Sequence, residues 1–139
     1  MDRKPWRVGV AGLGTVGAGL ISFLEGNPAF APAGGLIYVH GVSARSRSRP
    51  RPVDISELVW FDDPVALAEW DETDLFVELI GGSDGPAKAA VEAALNAGKP
   101  VVTANKALIA EHGAELAILA EAKGVPLLFE AAVMGACRR

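Results

Sequence analysis

The chain has 139 residues, enough for a single domain, and half of them are hydrophobic, enough to bury a sizeable core. A formal net charge of −4 and a sequence pI near 5.1 argue against nucleic acid as a partner, because phosphate binding needs a dense basic surface. A single cysteine, Cys137, excludes an internal disulfide and points to a reducing, cytoplasmic setting, and no apolar stretch reaches the roughly 18–20 uninterrupted residues of a membrane helix.

The charged start and apolar run of MDRKPWRVGVAGLGTVGAGLI imitate a signal peptide, but the glycine spacing inside the run has a better explanation. Arg7 to Ala11 reads as a short apolar strand, Gly12 to Gly17 as a turn and Ala18 to Leu24 as a helix stopped by Asn27 and Pro28. Leu36 to Val42 is a second strand. Ser43 to Pro52 carries four arginines and two prolines and reads as a loop. Ile55 to Phe61 is partly extended, and Pro64 to Trp70 forms a short helix. Leu75 to Ile80 is a strand closed by Gly81 and Gly82. Asp84 is placed to cap the next helix, with Pro86 in its first turn, Ala87 to Ala97 as its body and Gly98 at its end. Pro100 to Thr103 is a fourth strand. Lys106 to Lys123 is helical, with an interruption expected near Gly113, and Gly124 ends it. Val125 to Glu130 is a fifth strand.

The order β-α-β-(loop, short helix)-β-α-β-α-β, with strands that are near-continuous apolar runs, implies a doubly wound, mostly parallel α/β sheet of the Rossmann type. In such sheets ligands bind at the carboxyl ends of the strands. Those ends carry Gly12–Gly17, Arg45, Gly81–Gly82, Thr103–Lys106 and Glu130.

Gly12-Leu13-Gly14-Thr15-Val16-Gly17 is a G-x-G-x-x-G that follows a strand and opens a helix, the context in which it binds a dinucleotide. Gly12 permits the tight turn, Gly14 the approach of a pyrophosphate, and Gly17 close helix–strand packing; the helix N-terminus faces the phosphates. A carboxylate at the end of the second strand would accept the ribose 2′-hydroxyl of NAD, and none occurs between Leu36 and Pro52. Arg45, Arg47, Arg49 and Arg51 stand there instead. A guanidinium matches a 2′-phosphate, so NADP is the expected cofactor, with NAD as the alternative and Arg45 the best-placed residue. A solvated basic loop is the alternative reading of the other arginines. Small residues at Gly81 and Gly82 would let the cofactor pass close to the backbone, or simply turn the chain. Glu78, inside an apolar strand, reads as a satisfied structural carboxylate, since an unpaired one there is costly. Lys106 falls in the first turn of a helix, where a cation is mildly unfavourable. It is either an exposed lysine or a charge placed to meet a carbonyl oxygen or a phosphate.

With VGVAGLGTVGAGL (8–20), FVELIGG (76–82), ALNAGKPVVTANKALIAEHGAEL (94–116) and GVPLLFEAAVMG (124–135), the chain resembles the N-terminal nucleotide-binding domain of homoserine dehydrogenase. The resemblance spans most of the chain from Arg7 to Gly135. It implies NAD(P)-dependent interconversion of L-homoserine and L-aspartate 4-semialdehyde, on the route to threonine and methionine. It also implies a catalytic role for Lys106 at the nicotinamide, with Thr103 and Asn105 shaping the same site. Glu130, Val133 and Gly135 fall where family members hold a monovalent cation. The family pattern breaks after Gly135, where the chain reads Ala136, Cys137, Arg138, Arg139. A truncated or frameshifted form is therefore expected, one that binds cofactor without turning over, has no substrate and dimerisation domain, and self-associates as a homo-oligomer through exposed apolar surface. A non-catalytic dinucleotide-binding module, or the nucleotide domain of another semialdehyde or amino-acid dehydrogenase, is the alternative.

Overall fold

The computed structural model describes residues 5–26, 37–45, 54–83 and 85–129. In chain order these form β1 (Trp6–Ala11), α1 (Thr15–Gly26), β2 (Ile37–Ser43), β3 (Val59–Phe61), α2 (Pro64–Glu69), β4 (Leu75–Glu78), α3 (Pro86–Asn96), β5 (Val101–Thr103), α4 (Lys106–Lys123) and β6 (Leu127–Phe129). The six strands make one sheet in the order β3-β2-β1-β4-β5-β6, with every neighbouring pair parallel. The chain winds outward from β1 to β3, returns, and winds out again from β4 to β6. The reversal leaves a crevice between the loops that follow β1 and β4, the place where ligands enter a sheet of this kind.

Both faces of the sheet are apolar, as a parallel sheet between helices requires. Val8, Val10, Val39, Val42 and Val77 pack on Leu13 and Ile21 on the α1 face. Phe76 and Val101 pack on Leu67, Val91, Leu95, Leu108 and Leu116 on the face of α2, α3 and α4. Gly9 and Gly41 lie side by side, and side chains there would come within about 3 Å of Leu67, so both glycines let α2 sit close to the sheet. Just before this pair the register slips by one residue at His40, whose ring stacks on Trp70 at 4.7 Å and meets Glu72 at 2.7 Å. Among the described residues no helix is long and apolar enough to cross a membrane.

Several elements differ from the sequence-based expectation, each for a local reason, and α1 begins at Thr15 rather than Ala18, inside the segment expected to be a turn. Val59–Phe61 is a sixth strand: its three residues pair with Gly41–Ser43, too short a run to announce itself by alternation. Ser43 belongs to β2 because it pairs with Ala11 on one side and Phe61 on the other. β4 stops at Glu78, before Ile80, because the Glu78 carboxylate accepts the backbone N–H groups of Ile80 and Gly81 and turns the chain. α4 runs unbroken through Gly113. At the start of α3 the cap position is Gly85, with no side-chain bond; Asp84, expected there as the cap, lies outside the described residues.

Candidate functional site

All six strands end on one row of the sheet: Phe61, Ser43, Ala11, Glu78, Thr103 and Phe129 are linked in register from β3 to β6. The loops beyond this row carry the residues singled out from the sequence. Gly12 has φ 105°, its N–H donates to the Ser43 carbonyl at 2.8 Å, and a Cβ on it would fall 2.6 Å from the Leu79 oxygen. A Cβ on Gly17 would fall 2.1 Å from the Gly12 oxygen, so the first turn of α1 presses directly on the turn before it. Gly14 is the opposite case. It is exposed, and no atom lies within 4 Å of where its Cβ would be. The Leu13 side chain is buried in the core and leaves only its backbone at the turn. Thr15 and Val16 begin α1, whose first turn contains no acidic residue to offset the positive end of its dipole.

The bond from Gly12 to Ser43 ties the end of β2 to the glycine turn, and the exposed Arg45 follows two residues later. Arg47, Arg49 and Arg51 lie outside the described residues, as do Glu130, Val133 and Gly135, the expected cation ligands. Across the crevice Gly81 and Gly82 have φ 93° and 84°, a backbone that side chains rarely adopt, and Gly81 has open space where a Cβ would be. A dinucleotide fits these groups: the open backbone at Gly14 and the uncompensated N-terminus of α1 can hold phosphates, and the open space at Gly81 leaves room for the rest of the cofactor.

Thr103, Asn105 and Lys106 come together at the start of α4. Asn105 is its N-cap: the side-chain oxygen accepts the Leu108 N–H at 3.0 Å, while the side-chain amide donates to the Gly82 carbonyl at 2.6 Å. Its backbone N–H donates to the Thr103 hydroxyl oxygen at 3.0 Å. Lys106 is the first residue of the helix and is exposed at the same edge. Beneath them Glu78 is fully buried. It accepts from Ile80 N at 2.9 Å, Gly81 N at 3.1 Å, the Thr103 hydroxyl at 2.5 Å and the Asn105 amide at 3.4 Å. The satisfied carboxylate is as expected. Its place in the site is not, because its side-chain partners Thr103 and Asn105 lie 25 and 27 residues away. The one signal in the sequence is a carboxylate where a strand needs a hydrocarbon.

A family model described as the NAD-binding domain of homoserine dehydrogenase matches residues 12–130. Homoserine dehydrogenase of Corynebacterium glutamicum is 47% identical over 133 residues, a match that takes in 93% of this chain and 29% of that protein. The Pseudomonas aeruginosa enzyme is 46% identical over 135 residues, 95% of this chain and 30% of its own length. Among solved structures, homoserine dehydrogenase of Thiobacillus denitrificans superposes with a TM-score of 0.81 at 40% identity, covering 93% of this chain and 30% of its own. The S. aureus enzyme at pH 8.5 gives a TM-score of 0.83 at 35% identity, over 95% of this chain and 33% of its own. The chain thus spans about 30% of the length of the curated relatives it matches. With its glycine turn, its strand order and this match over most of its residues, the chain belongs to the homoserine dehydrogenase family and corresponds to the NAD-binding domain.

Proposed function

We propose that this chain is the nucleotide-binding part of an enzyme that interconverts L-homoserine and L-aspartate 4-semialdehyde, and that its cofactor is NADP(H). The observation that carries the reading is the convergence of three loops, Gly12–Gly17, Gly81–Gly82 and Thr103–Lys106, on one edge of the sheet. In this reading Gly12 to Gly17 and the N-terminus of α1 hold the pyrophosphate, and Arg45 takes the 2′-phosphate through its planar fork of donors. The nicotinamide, when bound, supplies or accepts the hydride. Lys106 donates a hydrogen bond to the reacting oxygen and stabilises the charge that develops there, while Thr103 and Asn105 hold the helix start that carries it.

In this reading these residues supply the cofactor-binding part of the site, since the chain covers 29% of its Corynebacterium glutamicum relative and matches the NAD-binding domain. The test is a titration of NADPH against NADH on wild type and Arg45→Ala, beside an assay of NADPH oxidation with L-aspartate 4-semialdehyde. NADPH should bind at least about tenfold more tightly than NADH, the worth of one good charge-assisted contact, and Arg45→Ala should remove the difference. Equal affinities in wild type would defeat the NADP assignment while leaving dinucleotide binding standing. Steady turnover by the chain alone would overturn its reading as a binding part only.

A further inference from the structure

Among the described residues Glu78 is the buried charged group that this function leaves unused, and its partners are not those of a group that merely fills the core. One row earlier on the same face, β4 and β5 pair Phe76 with Val101 as hydrocarbons. On the final row they pair Glu78 with Thr103. The donors that reach the carboxylate come from both strands' ends: Ile80 and Gly81 from the loop after β4, Thr103 from the last position of β5 and Asn105 from the loop after it. Asn105 closes the circuit, since its amide also donates to the Gly82 carbonyl while its oxygen caps α4. The Glu78 carbonyl adds a further tie by accepting the Ala104 N–H at 3.3 Å.

We propose that Glu78 is a positioning residue of the nucleotide site: its buried carboxylate sets the separation between the Gly81–Gly82 loop and the Asn105–Lys106 helix start, and so fixes the bed for the nicotinamide end of the cofactor. The proposal rests on the nucleotide-binding reading above. A carboxylate suits the task because it is acceptor-only and can take several N–H and O–H donors at once. Glutamine keeps the shape, but its amide nitrogen must face either the two backbone N–H groups or the Thr103 hydroxyl. At least one loop then loses an acceptor. The adenosine end, held near Gly12–Gly17 and Arg45, does not touch this circuit.

That separation of ends supplies the test. Wild type, Glu78→Gln and Thr103→Val are titrated with the preferred dinucleotide, NADPH or NADH, followed by nicotinamide fluorescence. Each is then titrated with the corresponding probe that lacks nicotinamide, 2′-phospho-ADP-ribose or ADP-ribose. Glu78→Gln should weaken the dinucleotide about five- to tenfold and change the nicotinamide-free probe less than about twofold; Thr103→Val should act in the same direction with a smaller effect. Melting curves establish that each variant is folded. If Glu78→Gln does not fold, Thr103→Val carries the comparison. Losses equal for both ligands, or no loss for either, would overturn the positioning role. Failure of wild type to bind either dinucleotide removes the nucleotide reading, and this proposal with it, before any variant is made.

Discussion

The three glycines of the β1–α1 turn perform separable tasks, and substitution distinguishes them. At Gly17 an added methyl meets the backbone oxygen of Gly12 at 2.1 Å, and backbone has nowhere cheap to move. Gly17→Ala should therefore cost about 2–4 kcal/mol of stability, read as a lowered melting temperature with or without cofactor. At Gly14 the added methyl meets nothing within 4 Å. Gly14→Ala should leave stability within about 0.5 kcal/mol and weaken dinucleotide binding about tenfold or more, because the methyl occupies the space a pyrophosphate would take. A Gly14→Ala protein that binds as well as wild type would remove the phosphate from this turn. Both glycines are legible in the sequence, because the spacing G-x-G-x-x-G is itself a statement about local backbone geometry. The position of Lys106, exposed in the first turn of α4, is legible for a similar reason: the stretch around it marks a helix start. Glu78 is legible as a satisfied carboxylate, but not as a member of the site. Its side-chain partners are contributed by a different strand and the helix after it, and a single sequence carries no record of which distant residues meet.

Elements are legible where their ends are marked by local chemistry. α4 runs from Lys106 to Lys123 as expected because Asn105 accepts from the first turn and Gly124, at φ 70°, supplies the left-handed cap. The expected break at Gly113 does not occur, since packing of Leu108, Leu116 and Ala120 on either side of it outweighs about 1 kcal/mol of glycine cost. β3 is obscure because three residues cannot show a period. At the amino ends of the strands, away from the site, β1 is joined to the residue before β4 by a contact whose pH dependence can be derived. Arg7 donates to Asp74 from its side chain at 2.9 and 3.3 Å and from its backbone N–H at 2.9 Å. Burial pushes the Asp74 carboxyl up, but the Arg7 hydrogen bonds and charge outweigh this and hold it below the usual carboxylate range. A carboxyl whose pKa is lower folded than unfolded stabilises the fold at pH values above the unfolded value of about 3.9, and that contribution drains away as pH falls through the folded value. Asp74→Asn should therefore cost about 0.5–1 kcal/mol at pH 7, a figure discounted for the solvent exposure of the pair. The difference from wild type should narrow below about pH 4, in chemical denaturation measured across the acid range. A difference that stays constant down to about pH 2 would show that Arg7 does not hold the carboxyl in the folded protein.

The strand order β3-β2-β1-β4-β5-β6 gathers the chemistry of the whole molecule on one edge. Parallel winding sends every strand toward the same row, so loops far apart in sequence converge without any further device. This is why fold and site edge follow together from the alternation of strands and helices, while the paired contacts inside the site do not. It also makes cofactor binding a property of the entire fold. The groups proposed to hold the dinucleotide follow β1, β2, β4 and β5, and they share a site only while the sheet is intact. A ligand that binds the folded chain alone stabilises it by about 2.7 kcal/mol at one hundred times its dissociation constant. For a domain of 139 residues that corresponds to a rise in melting temperature of roughly 10 °C. NADPH should produce this shift with wild type, and the shift should grow with the logarithm of its concentration. With Gly14→Ala the ligand-free melting temperature should stay at the wild-type value while the shift at the same concentration falls by roughly half, the consequence of a tenfold weaker site. With Gly17→Ala the ligand-free melting temperature itself should drop. A scan over NADPH concentration on the three proteins tests whether the edge of the sheet is one site. A wild-type melting temperature that does not move with cofactor would mean that the loops brought together by the fold do not bind it.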